Sequence, residues 1–143
     1  MAVTAKQYAK FYSQLSLKQA YASNTMKAAL FTSSLTPSQT NDTLFSSAPY
    51  TSNQVASGTG YTTGGVALTS LTLTTAALIT TFDAADIVIT ATGAGFTYRY
   101  IVFYDTTSGV VMCYADMGAD VVVPAGTHTI QLDALGLARI TVS

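Results

Sequence analysis

From Val66 onward the chain is punctuated at short intervals. The runs VALTSLTLTT, ALITTF, DIVITA, TYRYIVFYD, GVVMCYADM, THTIQLD and ARITV are rich in Val, Ile, Thr and Tyr. Asp83, Gly93–Gly95, Thr106–Gly109, Pro124–Gly126 and Ala134–Gly136 interrupt them. Branched and aromatic side chains suit a pleated, half-buried surface, whereas Gly, Pro and Asp suit turns. This spacing predicts a mainly β fold, an antiparallel β-sandwich of jelly-roll-like kind or a barrel, with roughly six to eight strands. In TYRYIVFYD one face carries Tyr98, Tyr100, Val102 and Tyr104, and the other Arg99, Ile101 and Phe103. Both faces are largely apolar or aromatic, so this strand is central or covered by another chain. DTTSG then reads as a hairpin turn, with Asp105 and Ser108 placed for turn hydrogen bonds and Gly109 supplying a permissive backbone.

The first part of the chain reads differently. VTAKQYAKFYSQLSLKQA (3–20) spaces Tyr8, Phe11, Tyr12 and Leu15 as on a helix, with Thr4 as its N-cap and lysines opposite the aromatic stripe. TMKAALFTSS (25–34) suits helix or strand. Its apolar end and the Ser/Thr/Pro run that follows favour strand. Residues 35–65 are almost all small and polar, with single apolar anchors at Leu44, Phe45, Tyr50, Val55 and Tyr61. Such a loop is longer than a compact monomer usually carries without a function. The chain therefore divides into a helical arm with a first strand (1–34), an extended polar loop (35–65) and a β core (66–143), one domain overall.

Charge bears on partners. Only 9% of residues are charged and Glu is absent, against about 25% charged in an average soluble domain. A surface this poor in charge implies cover by neighbours, hence a subunit of an assembly. Lys6, Lys10, Lys18 and Lys27 fall in the first 41 residues with no acid, and all seven Asp follow. That asymmetry suggests an N-terminal segment lying on an acidic surface. The lysines are too dispersed for a nucleic-acid patch and read as a solvated face. MAVTAKQYAKFY lacks the apolar core of an export signal, and no run approaches the ~20 apolar residues of a membrane span. Synthesis in the cytosol, without a membrane partner, is the expectation.

QVASGTGYTTGG (54–65) has the look of a phosphate-binding loop. A dinucleotide fingerprint needs a third glycine where Thr63 stands, and a P-loop needs a lysine, of which there is none beyond Lys27. The glycines are therefore expected to be structural, allowing positive φ and close backbone approach, with Tyr61 anchoring the loop.

The remaining chemical candidates have plain alternatives. His128 has no second histidine to share a metal and reads as a strand residue. Asp83 and Asp86 offer a carboxylate pair but also suit a turn before a strand. Asp116 and Asp120 supply too few oxygens for a usual Ca²⁺ site. Cys113 is alone, reads as a small buried hydrophobe, and rules out a disulfide framework. No nucleophile–base signature stands out, so neither enzyme chemistry nor a cofactor or metal is expected.

Taken in order, MAVTAKQYAKF (1–11), NQVASGTGYTTGG (53–65), YDTTSG (104–109), MGAD (117–120) and GTHTIQLDALGLARI (126–140) resemble small structural proteins of tailed-bacteriophage particles. The resemblance implies a virion component, made in the host cytoplasm, that binds the major capsid protein or other virion proteins. A capsid decoration (cement or head-fibre) protein is the first reading, as a homo-oligomer, with a trimer matching local three-fold axes. A tail or head–tail connector subunit is the alternative. A glycan-binding module using Tyr50, Tyr61, Tyr98, Tyr100, Tyr104 and Tyr114 as stacking faces is another. Lys6, Tyr8, Lys10, Phe11, Tyr12, Tyr50 and Tyr61 are the candidate interaction residues.

Overall fold

In the computed structural model residues 2–3, 5–7 and 25–141 are described. Their regular structure is all strand: β1 (Ala2–Val3), β2 (Lys6–Gln7), β3 (Met26–Phe31), β4 (Val66–Ala67), β5 (Thr72–Ala76), β6 (Ile79–Asp83), β7 (Ile87–Ala91), β8 (Phe96–Asp105), β9 (Val111–Val123), β10 (Gly126–Leu132) and β11 (Ala138–Thr141). They form three sheets, ordered β2-β9-β8-β3-β4, β1-β10-β7 and β11-β6-β5. Every pairing is antiparallel except that of β1 with β10.

The aromatic run at 97–105 lies, as its two apolar faces require, inside the largest sheet. β8 is flanked by β9 and by β3, whose register runs from Met26 opposite Asp105 to Phe31 opposite Tyr100. Ile101, Val102 and Phe103 are buried, as are Met26 and Ala28–Phe31 on β3. The expected strand within 25–34 is thus β3. Removing so much apolar area from water, at about 25 cal/mol per Å², supplies the main driving force for this core.

The N-terminal helix is corrected where it can be followed. Ala2–Val3 and Lys6–Gln7, within and beside the proposed start at 3–20, are strands that extend the edges of β10 and β9. Open strand edges offer these residues ladder partners, and tertiary pairing of this kind overrides a weak local helical spacing. The rest of that helix, Tyr8 to Ala20, lies outside the described residues.

The polar loop closes on its own domain. Beyond the two-residue β4, the outer edge of β3 would be bare, and residues 53–61 cover it. Thr32 donates to the Asn53 carbonyl at 2.9 Å and Val55 donates to the Leu30 carbonyl at 2.9 Å. The Leu30 amide in turn donates to the Tyr61 hydroxyl at 2.8 Å. Burial, opposed by that bond, raises the Tyr61 phenol to about 12. Farther back, Phe45 stacks on Tyr104 with ring centroids 3.7 Å apart, while Phe31 meets Phe45 and Tyr50 edge-on. Each isolated apolar residue of the loop is a plug for the sheet.

This arrangement carries a first prediction. Tyr61→Phe keeps the ring but leaves the Leu30 amide buried without its acceptor. It should cost about 1–3 kcal/mol in urea unfolding at unchanged m-value.

Gly60 and Gly65 serve the same closure. Gly60 has φ +84°, and a Cβ there would sit 2.0 Å from the Thr90 carbonyl oxygen. At Gly65, with φ +95°, the corresponding distance to the Ala28 carbonyl oxygen is 2.3 Å. Backbone meets backbone at both points, so the requirement is steric and conformational.

Candidate assembly surface

The residues singled out from the sequence fall into separate places. Lys6 is exposed on β2, opposite Tyr114 in register. Its charge reaches Asp116, whose carboxyl is held below the usual range first by the Arg99 hydrogen bond and also by Lys6. Tyr8, Lys10, Phe11 and Tyr12 lie outside the described residues. Tyr50 and Tyr61 are core residues, 0% and 2% exposed, and so do not present their rings to a partner. Tyr50 donates to Asp42 Oδ2 at 2.6 Å. An aromatic residue alone in a polar run fills the nearest apolar gap, which outweighs display at the surface.

The chemical candidates are occupied by structural bonds. Asp83 Oδ1 accepts from the Ala84 amide at 2.8 Å, and Asp86 Oδ1 accepts from the Leu132 amide at 2.9 Å. Asp116 is paired with Arg99 at 3.0 Å and accepts from the Gly118 amide at 2.9 Å. His128 Nε2 lies 3.0 Å from the Tyr98 hydroxyl, beside a cavity of about 170 Å³ lined by Met117, Val121 and Ile130. Burial lowers the imidazole below its ordinary value and raises the Tyr98 phenol to about 12. Cys113 is fully buried, and burial pushes its thiol up. Among the described residues no three His, Cys, Asp or Glu side chains gather as a metal site.

Asp105 is the buried charge among the described residues, 2% exposed. Its Oδ2 accepts from the Ser108 hydroxyl at 2.6 Å and the Ser108 amide at 2.8 Å, and its Oδ1 accepts from the Thr25 hydroxyl. Burial raises its pKa, but these donors outweigh it and hold the carboxyl below the ordinary value. The YDTTSG motif is therefore a turn that also clamps Thr25, immediately before β3, to the far end of β8. Thr106 reinforces the clamp by donating to the Thr25 carbonyl from its amide at 2.9 Å and its hydroxyl at 2.8 Å.

Among the described residues, one surface left open to a partner is the β5–β6 hairpin. β5 is an outer strand, and all five of its residues are exposed. Leu73 is 39% and Leu78 62% exposed. No charged residue occurs between Thr43 and Phe82. The β5–β6 register is regular from Thr72–Asp83 to Ala76–Ile79, without a bulge. Free sheet edges are usually guarded by Lys, Pro or a bulge, because their unpaired N–H and C=O groups template further pairing. β5 has none of these. The run LTLTT reads from sequence as an ordinary half-buried strand. The signal for the exposure of β5 is that Leu73 is its one large apolar residue, which leaves it little to bury.

This surface is a template for strand pairing and apolar contact. It assembles no reactive group. Compared with protein-family models, with curated proteins and with solved structures, the chain matches none of them.

Proposed function

We propose that this chain is a non-enzymatic structural subunit of a tailed-bacteriophage particle, most simply a decoration protein that binds and stabilises the assembled head. The observation that carries the reading is the unguarded outer edge of β5, a strand without a charged residue. A surface of this kind invites aggregation when free and is at home under a neighbour. The resemblance to phage structural proteins points the same way, and two of its motifs occupy structural positions here. NQVASGTGYTTGG supplies the loop sealing β3, and YDTTSG supplies the Asp105 clamp.

In this reading the sheets β2-β9-β8-β3-β4 and β1-β10-β7 are the two layers of a jelly-roll-like antiparallel sandwich. The alternating burial of β7 and the contact between Tyr98 on β8 and His128 on β10 support that arrangement. The major capsid protein is the proposed partner. The glycan-binding alternative has less to support it, since Tyr50, Tyr61, Tyr98, Tyr104 and Tyr114 are buried and Tyr100 is half-buried.

The test is immunogold electron microscopy of purified particles with antibody against the folded protein. Label over the heads is expected. Label restricted to the neck or tail would move the subunit to the connector, and particles lacking the protein in both label and mass spectrum would overturn the virion role.

A further inference from the structure

We propose that the free edge of β5 pairs antiparallel with the β5 edge of a second copy of this chain, about a two-fold axis at Thr74. A two-fold contact brings two copies of every charge on a short edge close together, so an edge carrying a charge repels itself. The outer strands of the described residues differ in just this respect. β2 carries Lys6 and β11 carries Arg139. β7 is engaged at both ends: Thr92 donates to the Thr59 carbonyl at 3.1 Å and Ala85 donates to the Thr69 carbonyl at 2.9 Å. β1 and β4 are two residues long. β5 alone combines five exposed residues with no charge.

Head-to-tail pairing of β5 onto β2 or β11 would crowd a cation against a strand with no acid to receive it, which costs desolvation. Self-pairing avoids that cost. With Thr74 opposite Thr74, Leu73 faces Thr75 of the second copy and Thr72 faces Ala76. These are hydroxyl and aliphatic pairs that sheets accommodate. Leu73, now 39% exposed, is then partly covered.

One strand edge buries less than the ~1,200 Å² of a standard stable interface, so association of the free protein is weak, with a dissociation constant on the order of 10–100 μM. Copies held side by side on a larger surface pair far more effectively through their raised local concentration. The contact is two-fold, unlike the trimer expected from the sequence. It is independent of the virion reading, because it is measured on the isolated chain.

Sedimentation equilibrium of the full chain up to about 500 μM should show a monomer–dimer equilibrium in this affinity range. Thr74→Lys, which sets two cations face to face, should weaken it at least tenfold, whereas Thr90→Lys on exposed β7 should leave it unchanged. Thr74→Cys should form an intermolecular disulfide under mild oxidation, since opposed residues in a strand pair have Cα separations of about 4.5–5.5 Å. The native Cys113 is buried and does not compete. A monomer across the whole range, or an oligomer that neither Thr74→Lys weakens nor Thr74→Cys traps, would overturn the proposal.

Discussion

Alanine at position 60 should unfold the domain at far lower urea than alanine at position 93. Both glycines have positive φ, +84° and +58°, so both substitutions strain an L residue by about 1–2 kcal/mol. At Gly93 a Cβ meets nothing within 4 Å. At Gly60 it would overlap the Thr90 carbonyl oxygen at 2.0 Å and the Ala91 Cα at 2.9 Å, both backbone atoms of β7 that cannot rotate aside. Relief requires the loop to lift from β7, which breaks the bond from the Thr92 amide to the Thr59 carbonyl and loosens Tyr61. The expected loss is about 4 kcal/mol for Gly60→Ala against about 1 kcal/mol for Gly93→Ala. Equal losses would mean that conformational strain alone accounts for the glycine, and that the close approach to β7 contributes nothing.

Asp105→Asn should be comparably severe, at about 3 kcal/mol. Both carboxylate oxygens accept only, Oδ2 from Ser108 and Oδ1 from Thr25 and the Thr107 amide. An asparagine must turn its NH₂ toward one set of donors, leaving donor facing donor at a buried site. Because the Asp105 pKa lies below its ordinary value, its stabilisation is fully present above the unfolded carboxylate pKa of about 3.9. It is lost as pH falls through the lower folded value. The variant should therefore lose less stability than the parent between pH 4 and the acid limit. Ser108→Ala combined with Asp105→Asn should cost less than the sum of the two, since both act on one cluster. Additive losses with parallel acid limbs would show that Asp105 is not the hub of this turn.

Much of this architecture was legible from residue types. The β-rich runs after Val66 became strands because Val, Ile, Thr and Tyr suit a pleated surface, and DTTSG became a turn because its acid and hydroxyl satisfy the turn backbone. The glycines of 58–65 read as structural for reasons the Thr90 and Ala28 contacts make specific. Long-range partnership was harder to see. VALTSLTLTT reads as one strand, yet Ser70 adopts φ +52° and the chain passes from β4 in one sheet to β5 in another. No local pattern reports such a switch. The aromatic anchors of the polar loop were visible, but not whether they faced a neighbour or their own sheet. That choice depends on β3 having an uncovered edge, a property of the assembled fold. The exposure of β5 had a fainter signal, its single large apolar residue Leu73, which the longer run VALTSLTLTT obscures.

The position of β3 between β4 and β8 also sets the order of events in synthesis. Phe31 pairs with Tyr100 and Met26 with Asp105, partners some seventy to eighty positions downstream. Such non-local pairings cannot form until the later strand has left the ribosome, and topologies dominated by them fold in milliseconds to seconds. MKAALF must therefore wait, apolar and unpaired, while most of the domain is still being made. The nascent chain passes through a stage in which a strand buried in the finished fold is exposed and adhesive, the condition in which holdase chaperones engage nascent chains.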